Sequence, residues 1–290
     1  MKKRFMLLAV LQIVTLSLFA GNTITKKYDF GAIRSIDAGS IYQIEVTEGS
    51  EKGVTIVCDA EYEEYLDVKY FQGELMLAMK PNVKMINNKE GIKVYLQMPT
   101  IEEIDLSGAA KLTASGSFKT RELDIDLSGA TSVKGLQISG TELSIDCSGA
   151  SNLTITGDFS SSIDADVSGA SKLTLTGNSR DLEIEASGAS NVQVTGEHKF
   201  TETSCSGASS INLNGSTGYF KSETSGASNL KAQNYTAKDG YAEVTGASNA
   251  KIRCTGTLKI MVSKMSKLTH YGDPDIINVD RNSNIRKGDD

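Results

Sequence analysis

Residues 147–177 read CSGASNLTITGDFSSSIDADVSGASKLTLTG, in which nearly the same line is written twice: SGASNL begins at Ser148 and SGASKL at Ser168. The repetition runs on in both directions. With the glycine of each S-G-A as position zero, the series is Gly108, Gly129, Gly149, Gly169, Gly188, Gly207, Gly226 and Gly246, at spacings of 19 to 21 residues. Two decayed copies follow: SKMSKL from Ser263, with Lys264 at position zero, and DRNSNI from Asp280, with Arg281 there. About two thirds of the chain is thus one repeated unit, the mark of a repeat architecture.

Within each unit apolar residues stand at −6, −4 and −2, then at +4 and +6. Leu143, Ile145 and Cys147 are followed by Leu153 and Ile155; Ile163, Ala165 and Val167 are followed by Leu173 and Leu175. Period-two alternation predicts two short strands per unit, each with one face inward. The S-G-A between them is a corner, where glycine adopts angles that a side chain forbids. A second glycine often closes the other end at +8, as at Gly116, Gly157, Gly177, Gly196 and Gly215. Two strands in about twenty residues are too few for a propeller blade, and the unit has no helical pattern. The expected fold class is all-β: a right-handed parallel β-helix of about 20-residue coils stacked ~4.8 Å apart.

Serine at −1 recurs as Ser107, Ser128, Ser148, Ser168, Ser187, Ser206 and Ser225, with Thr245 standing in for it. A residue present in every coil reads as a ladder of hydroxyls bonded to neighbouring coils. A nucleophile needs one activated copy beside a base, and neither His198 nor His270 repeats with the serines. Cys147 and Cys205 both fall at −2, three coils apart, beyond disulfide reach, and read as small buried hydrophobes. The pairing of Cys58 and Cys254 is open.

The 290 residues hold 27 glycines, 3 prolines and no tryptophan, favouring tight turns and small side chains over an aromatic core. A net charge of −6 argues against a nucleic-acid partner. Lys2, Lys3 and Arg4 precede an apolar run from Phe5 to Ala20, so residues 1–20 read as a secretory signal peptide. The mature protein is then exported, to the periplasm or the cell surface and medium, and does not span the membrane. Residues 22–100 lack the S-G-A corner and read as an N-terminal β cap, which a solenoid needs to cover its open end. Residues 101–290 are the β-helix repeats, with decayed C-terminal coils.

The opening YDFGAIRSIDAGSIYQIEVTEG, the junction VYLQMPTIEEIDLSGA, the SGAS ladder and the YGDPDI stretch near the C-terminus together resemble the head GIN domain family, described as auto-transporter adhesins. The resemblance spans essentially the whole mature chain. It implies an all-β, β-helical fold, an exported location and adhesion; it brings no catalytic residues.

Two function classes follow. One is a non-enzymatic exported binding or adhesion module, offering a flat face to a glycan or a protein at the cell envelope. The other is a carbohydrate-active enzyme, a polysaccharide lyase or hydrolase on a β-helix scaffold. An enzyme cleft needs loops that break the coil and one cluster of unlike groups. Coil length here is near constant and the carboxylates repeat evenly, so the non-enzymatic module is preferred and no cofactor is expected. The candidate binding residues are an outward acidic ladder at −3: Asp105, Asp126, Asp146, Asp166, Glu185, Glu223 and Glu243, broken by Ser204 and Met261. At −5 stand Glu103, Asp124, Asp164, Glu183 and Glu202, whereas +3 carries Lys111, Asn152, Lys172, Asn191, Asn229, Asn249 and Lys267. The ladder is either a solvated face kept charged for solubility, or it meets a counter-charge: calcium between coils, a basic partner, or a second copy.

Overall fold

Each S-G-A corner places its glycine at positive φ, between 67° and 75° from Gly108 to Gly246. At Gly169 an added Cβ would lie 2.4 Å from the Gly149 carbonyl oxygen of the coil before. The next amide uses that oxygen: Ala170 N–H donates to Gly149 O at 2.7 Å, and the pattern repeats at every corner from Ala130 to Ala247. The glycine is therefore required twice, by its backbone angle and by the closeness of the next corner.

These corners fold the chain, described here as a computed structural model over residues 13–15, 23–81, 91–278 and 284–289, into a β-solenoid with 68% strand and 2% helix. Strands before the corner stack in parallel on one broad side, and strands after it stack on another. Glu103–Leu106, Glu122–Leu127 and the C-terminal half of Ser132–Cys147 begin the first sheet; Lys111–Ser115, Asn152–Thr156 and Lys172–Thr176 belong to the second. The register is in step, so Leu123, Leu143, Ile163 and Leu182 lie one above another. The predicted inward set fills the interior: Leu143, Ile145, Ile163, Ile184, Leu153 and Leu173 are each at most 2% exposed. All four cysteines are free and buried, and Val167 and Ala186 lie between Cys147 and Cys205 in the stack. Burial pushes the Cys147 thiol up to about 12 and that of Cys58 to about 11, so both rest as neutral thiols.

The boundary at residue 100 does not separate cap from solenoid. Ser35–Ala38 and Tyr42–Glu48 already form a coil, paired in parallel with Glu103–Leu106 and Lys111–Ser115. Its corner is Gly39-Ser40, with the positive φ (62°) on the serine, and Ala109 N–H donates to Ser40 O as later alanines do to glycine. The sequence AGS in place of SGA is why the corner pattern missed it. Glu74–Met79 and Ile92–Met98 form a further coil on its far side, although they follow it in the chain. The true cap is antiparallel. Val54–Asp59 pairs with Ile92–Met98 and Thr23–Tyr28, and Leu66–Phe71 pairs with Glu74–Met79. Residues 1–20, read as the leader, lie outside the described residues except for Ile13–Thr15, antiparallel to Thr23–Tyr28. The decayed corner at Arg281 also lies outside them.

The expected −1 serines do reach the coil before, but only at long range, and a second serine forms the tighter ladder. The −1 hydroxyls face outward and make long contacts, Ser148 Oγ to Leu127 O at 3.3 Å and Ser168 Oγ to Cys147 O at 3.5 Å. The buried row is the last letter of SGAS: Ser151, Ser171, Ser190, Ser209, Ser228, Ser248 and Ser266. Ser228 Oγ lies 2.9 Å from Cys205 O in the coil before and 2.5 Å from Ser225 O in its own. Gly169→Ala is expected to cost at least about 2 kcal/mol. Ser228→Ala should cost about 1–2 kcal/mol and Ser225→Ala less than about 0.5 kcal/mol. Thermal unfolding of the three variants checks this ranking, and an unchanged Gly169→Ala midpoint would show that the corner tolerates a side chain.

Candidate functional site

On the outer face of the first sheet the parallel register sets acid on acid. The −3 row runs Asp105, Asp126, Asp146, Asp166 and Glu185, passes Ser204, continues through Glu223 and Glu243, and ends at Met261. Asp37 extends it by one coil at the other end, a member hidden in sequence by the shifted corner. Beside it the −5 row runs Glu103, Asp124, Ser144, Asp164, Glu183, Glu202 and Lys221. A third row, at −7, holds Glu122, Glu142, Ser162 and Asp181. All three rows point outward because side chains alternate along a strand. The short Ser144 side chain leaves a shallow depression of about 350 Å³ bordered by Asp164, Asp166, Glu183 and Glu185.

The carboxylates feel one another. Partial burial, then the neighbouring Asp105, Asp146 and Asp124 charges, hold Asp126 above the usual carboxylate range. Burial and Asp37 do the same to Asp105, and burial followed by Asp164, Glu202, Glu185 and Asp166 does so to Glu183. A carboxyl whose pKa is raised on folding favours the fold below its unfolded value and loses that stability as pH rises through the folded one. The face is thus under strain at neutral pH. The acids form a lattice and do not converge: among the described residues, no group of three or more His, Cys, Asp or Glu is arranged to hold a metal ion. The +3 positions form a separate row on the second sheet, Lys111, Ser132, Asn152, Lys172 and Asn191 in register. The corner glycines lie between the two faces, where the chain turns from the first sheet to the second.

Sequence reasoning missed a polar stretch of the interior. His198 is buried, with Nδ1 2.8 Å from Ser179 Oγ, while Ser179 Oγ donates to Asp181 O at 2.7 Å. The serine proton is thereby committed, so Nδ1 carries the imidazole hydrogen and donates. This Ser–His pair orients a buried ring and presents no activated hydroxyl. Nearby, Tyr235 OH lies 2.7 Å from Thr201 Oγ1, itself 3.2 Å from Thr217 Oγ1.

A family model described as "Putative auto-transporter adhesin, head GIN domain" matches residues 33–174 and again residues 161–274. The chain belongs to that family. The first match begins just before Ser35, where the first coil of this head GIN chain begins. Its fold is similar to that of a "putative adhesin" from Parabacteroides distasonis, with a TM-score of 0.53, 15% identity, and coverage of 92% of this chain and 97% of that one. A second "putative adhesin", from Parabacteroides merdae, matches at a TM-score of 0.51 and 15% identity, over 93% of this chain and 97% of that one. No match is found among curated proteins.

The buried imidazole has a pH consequence. Desolvation pulls His198 down to about 4, so the fold opposes its protonation. Its contribution to stability is complete above the ordinary histidine value near 6.5 and is lost as pH falls towards 4. Wild type is expected to lose stability over that window and His198→Gln to lose less. Superimposable pH–stability profiles would show that the imidazole is protonated without penalty.

Proposed function

We propose that this head GIN chain is an exported, non-enzymatic binding module of the cell envelope, and that the acidic outer face of its first sheet is the surface that meets a basic protein partner. The observation that carries the reading is the in-register ladder from Asp37 to Glu185 along one parallel sheet. Stacked carboxylates ~4.8 Å apart repel by about 1 kcal/mol per adjacent pair even at water's dielectric constant. A partner carrying ammonium or guanidinium groups relieves that repulsion on binding; a neutral glycan leaves it in place. The even lattice also favours an extended basic surface over a coordinated calcium ion, which wants six to eight oxygens around one point.

The test is binding of an oligolysine peptide at low and high salt to wild type and to Asp126→Asn/Asp146→Asn/Asp166→Asn. The triple variant is expected to bind at least about tenfold more weakly, with a shallower salt dependence. It should also unfold about 1–2 kcal/mol less readily at neutral pH, an advantage that shrinks on acidification. Calcium should move the wild-type midpoint no more than magnesium does. Equal peptide affinity in the two proteins, beside the stability gain, would leave the face as solvated surface alone.

A further inference from the structure

The −7 row of the first sheet changes character partway along. After Glu122, Glu142, Ser162 and Asp181 come Phe200 and then Tyr219, followed by Asp239. The two rings sit on consecutive coils in direct register, and Phe200 is 47% and Tyr219 41% exposed. Water-exposed aromatic side chains on neighbouring rungs of a face otherwise lined with charge are unfavourable for a surface that only has to stay solvated. They fit a contact surface, where aromatic rings supply anchoring area inside a charged rim.

The surroundings indicate what such an anchor takes. The pair is bracketed in its own row by Asp181, which Arg180 already holds at 2.8 Å, and by Asp239, and the adjoining row brings Glu202 beside it. Lys221, the next member of that row, is held by Glu202 at 2.6 Å and Glu223 at 3.2 Å, so its charge is already answered. The rings of this region also accept cations within the chain itself. Lys199 Nζ lies 5.3 Å from the Phe200 centroid, and Lys259 Nζ lies 5.8 Å from that of Tyr241, a further member of the −5 row. An aromatic face flanked by carboxylates suits a guanidinium better than an ammonium. Arginine stacks its flat, weakly hydrated group on the ring while its N–H fork reaches a carboxylate.

We infer that Phe200 and Tyr219 are the anchor of the acidic face, on which an arginine-rich, extended segment of a partner polypeptide docks, its other charges lying along the carboxylate rows towards Asp105. The inference rests on the proposed role of the acidic sheet as the contact surface and adds to it the anchor and the partner's side-chain chemistry.

Oligoarginine and oligolysine peptides of equal length, titrated against wild type and Phe200→Ala/Tyr219→Ala, test it. Wild type should prefer oligoarginine, and the double variant should lose about five- to thirtyfold in oligoarginine affinity while oligolysine binding changes little. Phe200→Leu/Tyr219→Leu, which keeps apolar bulk without the π face, should show the same lost preference. Each ring is a little under half exposed, so the variants should stay folded, with only a small drop in unfolding midpoint that the Leu pair reduces. If both peptides bind and the aromatic variants bind oligoarginine as wild type does, the anchor is wrong and the acidic contact surface stands. If neither peptide binds wild type, the contact surface and its anchor fall together.

Discussion

Everything in this molecule depends on how closely one corner sits on the next. The alanine amide after each corner glycine donates to the glycine carbonyl one coil back at 2.7–2.8 Å, from Ala130 to Ala247. That contact fixes the coil spacing at the point where the chain turns, and the two sheets inherit their register from it. A side chain at the glycine would push the coils apart where the backbone bond has to be shortest. Where the sequence abandons glycine the outcome differs by corner: Ser40 keeps the positive φ in the first coil, whereas Lys264, at the corner position of the decayed copy, is not among the described residues with positive φ.

The same register produces the electrostatics. Parallel, in-step stacking puts each residue on its own counterpart, so a sequence that writes aspartate at one position writes a column of aspartates in space. Antiparallel pairing would let a sequence set opposite charges across strands; a solenoid of near-identical coils cannot do so without breaking its repeat. The chain breaks it at Lys221, which stands under Glu202 and takes both neighbouring glutamates. Elsewhere in the outward rows Arg121 pairs with Glu122, Arg180 with Asp181, and Tyr241 OH donates to Glu243.

Much of this was legible in the residues. The S-G-A spacing and the −6/−4/−2/+4/+6 alternation gave the corners, the strands and the inward set, because each reflects local sterics repeated many times. The acidic ladder was legible for the same reason. What escaped depends on context that a single copy does not show. The coil at Ser35–Glu48 was hidden because its corner puts Ser40, not glycine, at positive φ. The tighter of the two serine rows was not legible because the first and last letters of SGAS recur equally well, and only burial tells Ser228 from Ser225. The inward row that holds Phe159 also holds Ser179 and His198 in later coils, a polar interior that apolar alternation cannot anticipate.

The coil built from Glu74–Met79 and Ile92–Met98 lies between the antiparallel cap and the coil of Ser35–Glu48, which precedes it in the chain. From Glu122 onward every coil is laid on the one made just before it, so growth there is nearest-neighbour and needs only short loops to close. Upstream, the chain must leave a coil, build the cap, and come back to fill the gap between them. Those contacts join distant segments and carry the larger loop-closure cost. The slow step of assembly therefore belongs to the first hundred residues, and the repeats that follow are propagation on a finished seed. A chain made N-terminus first presents that seed before its repeats, so that the repeats never wait in the open for a surface to grow on.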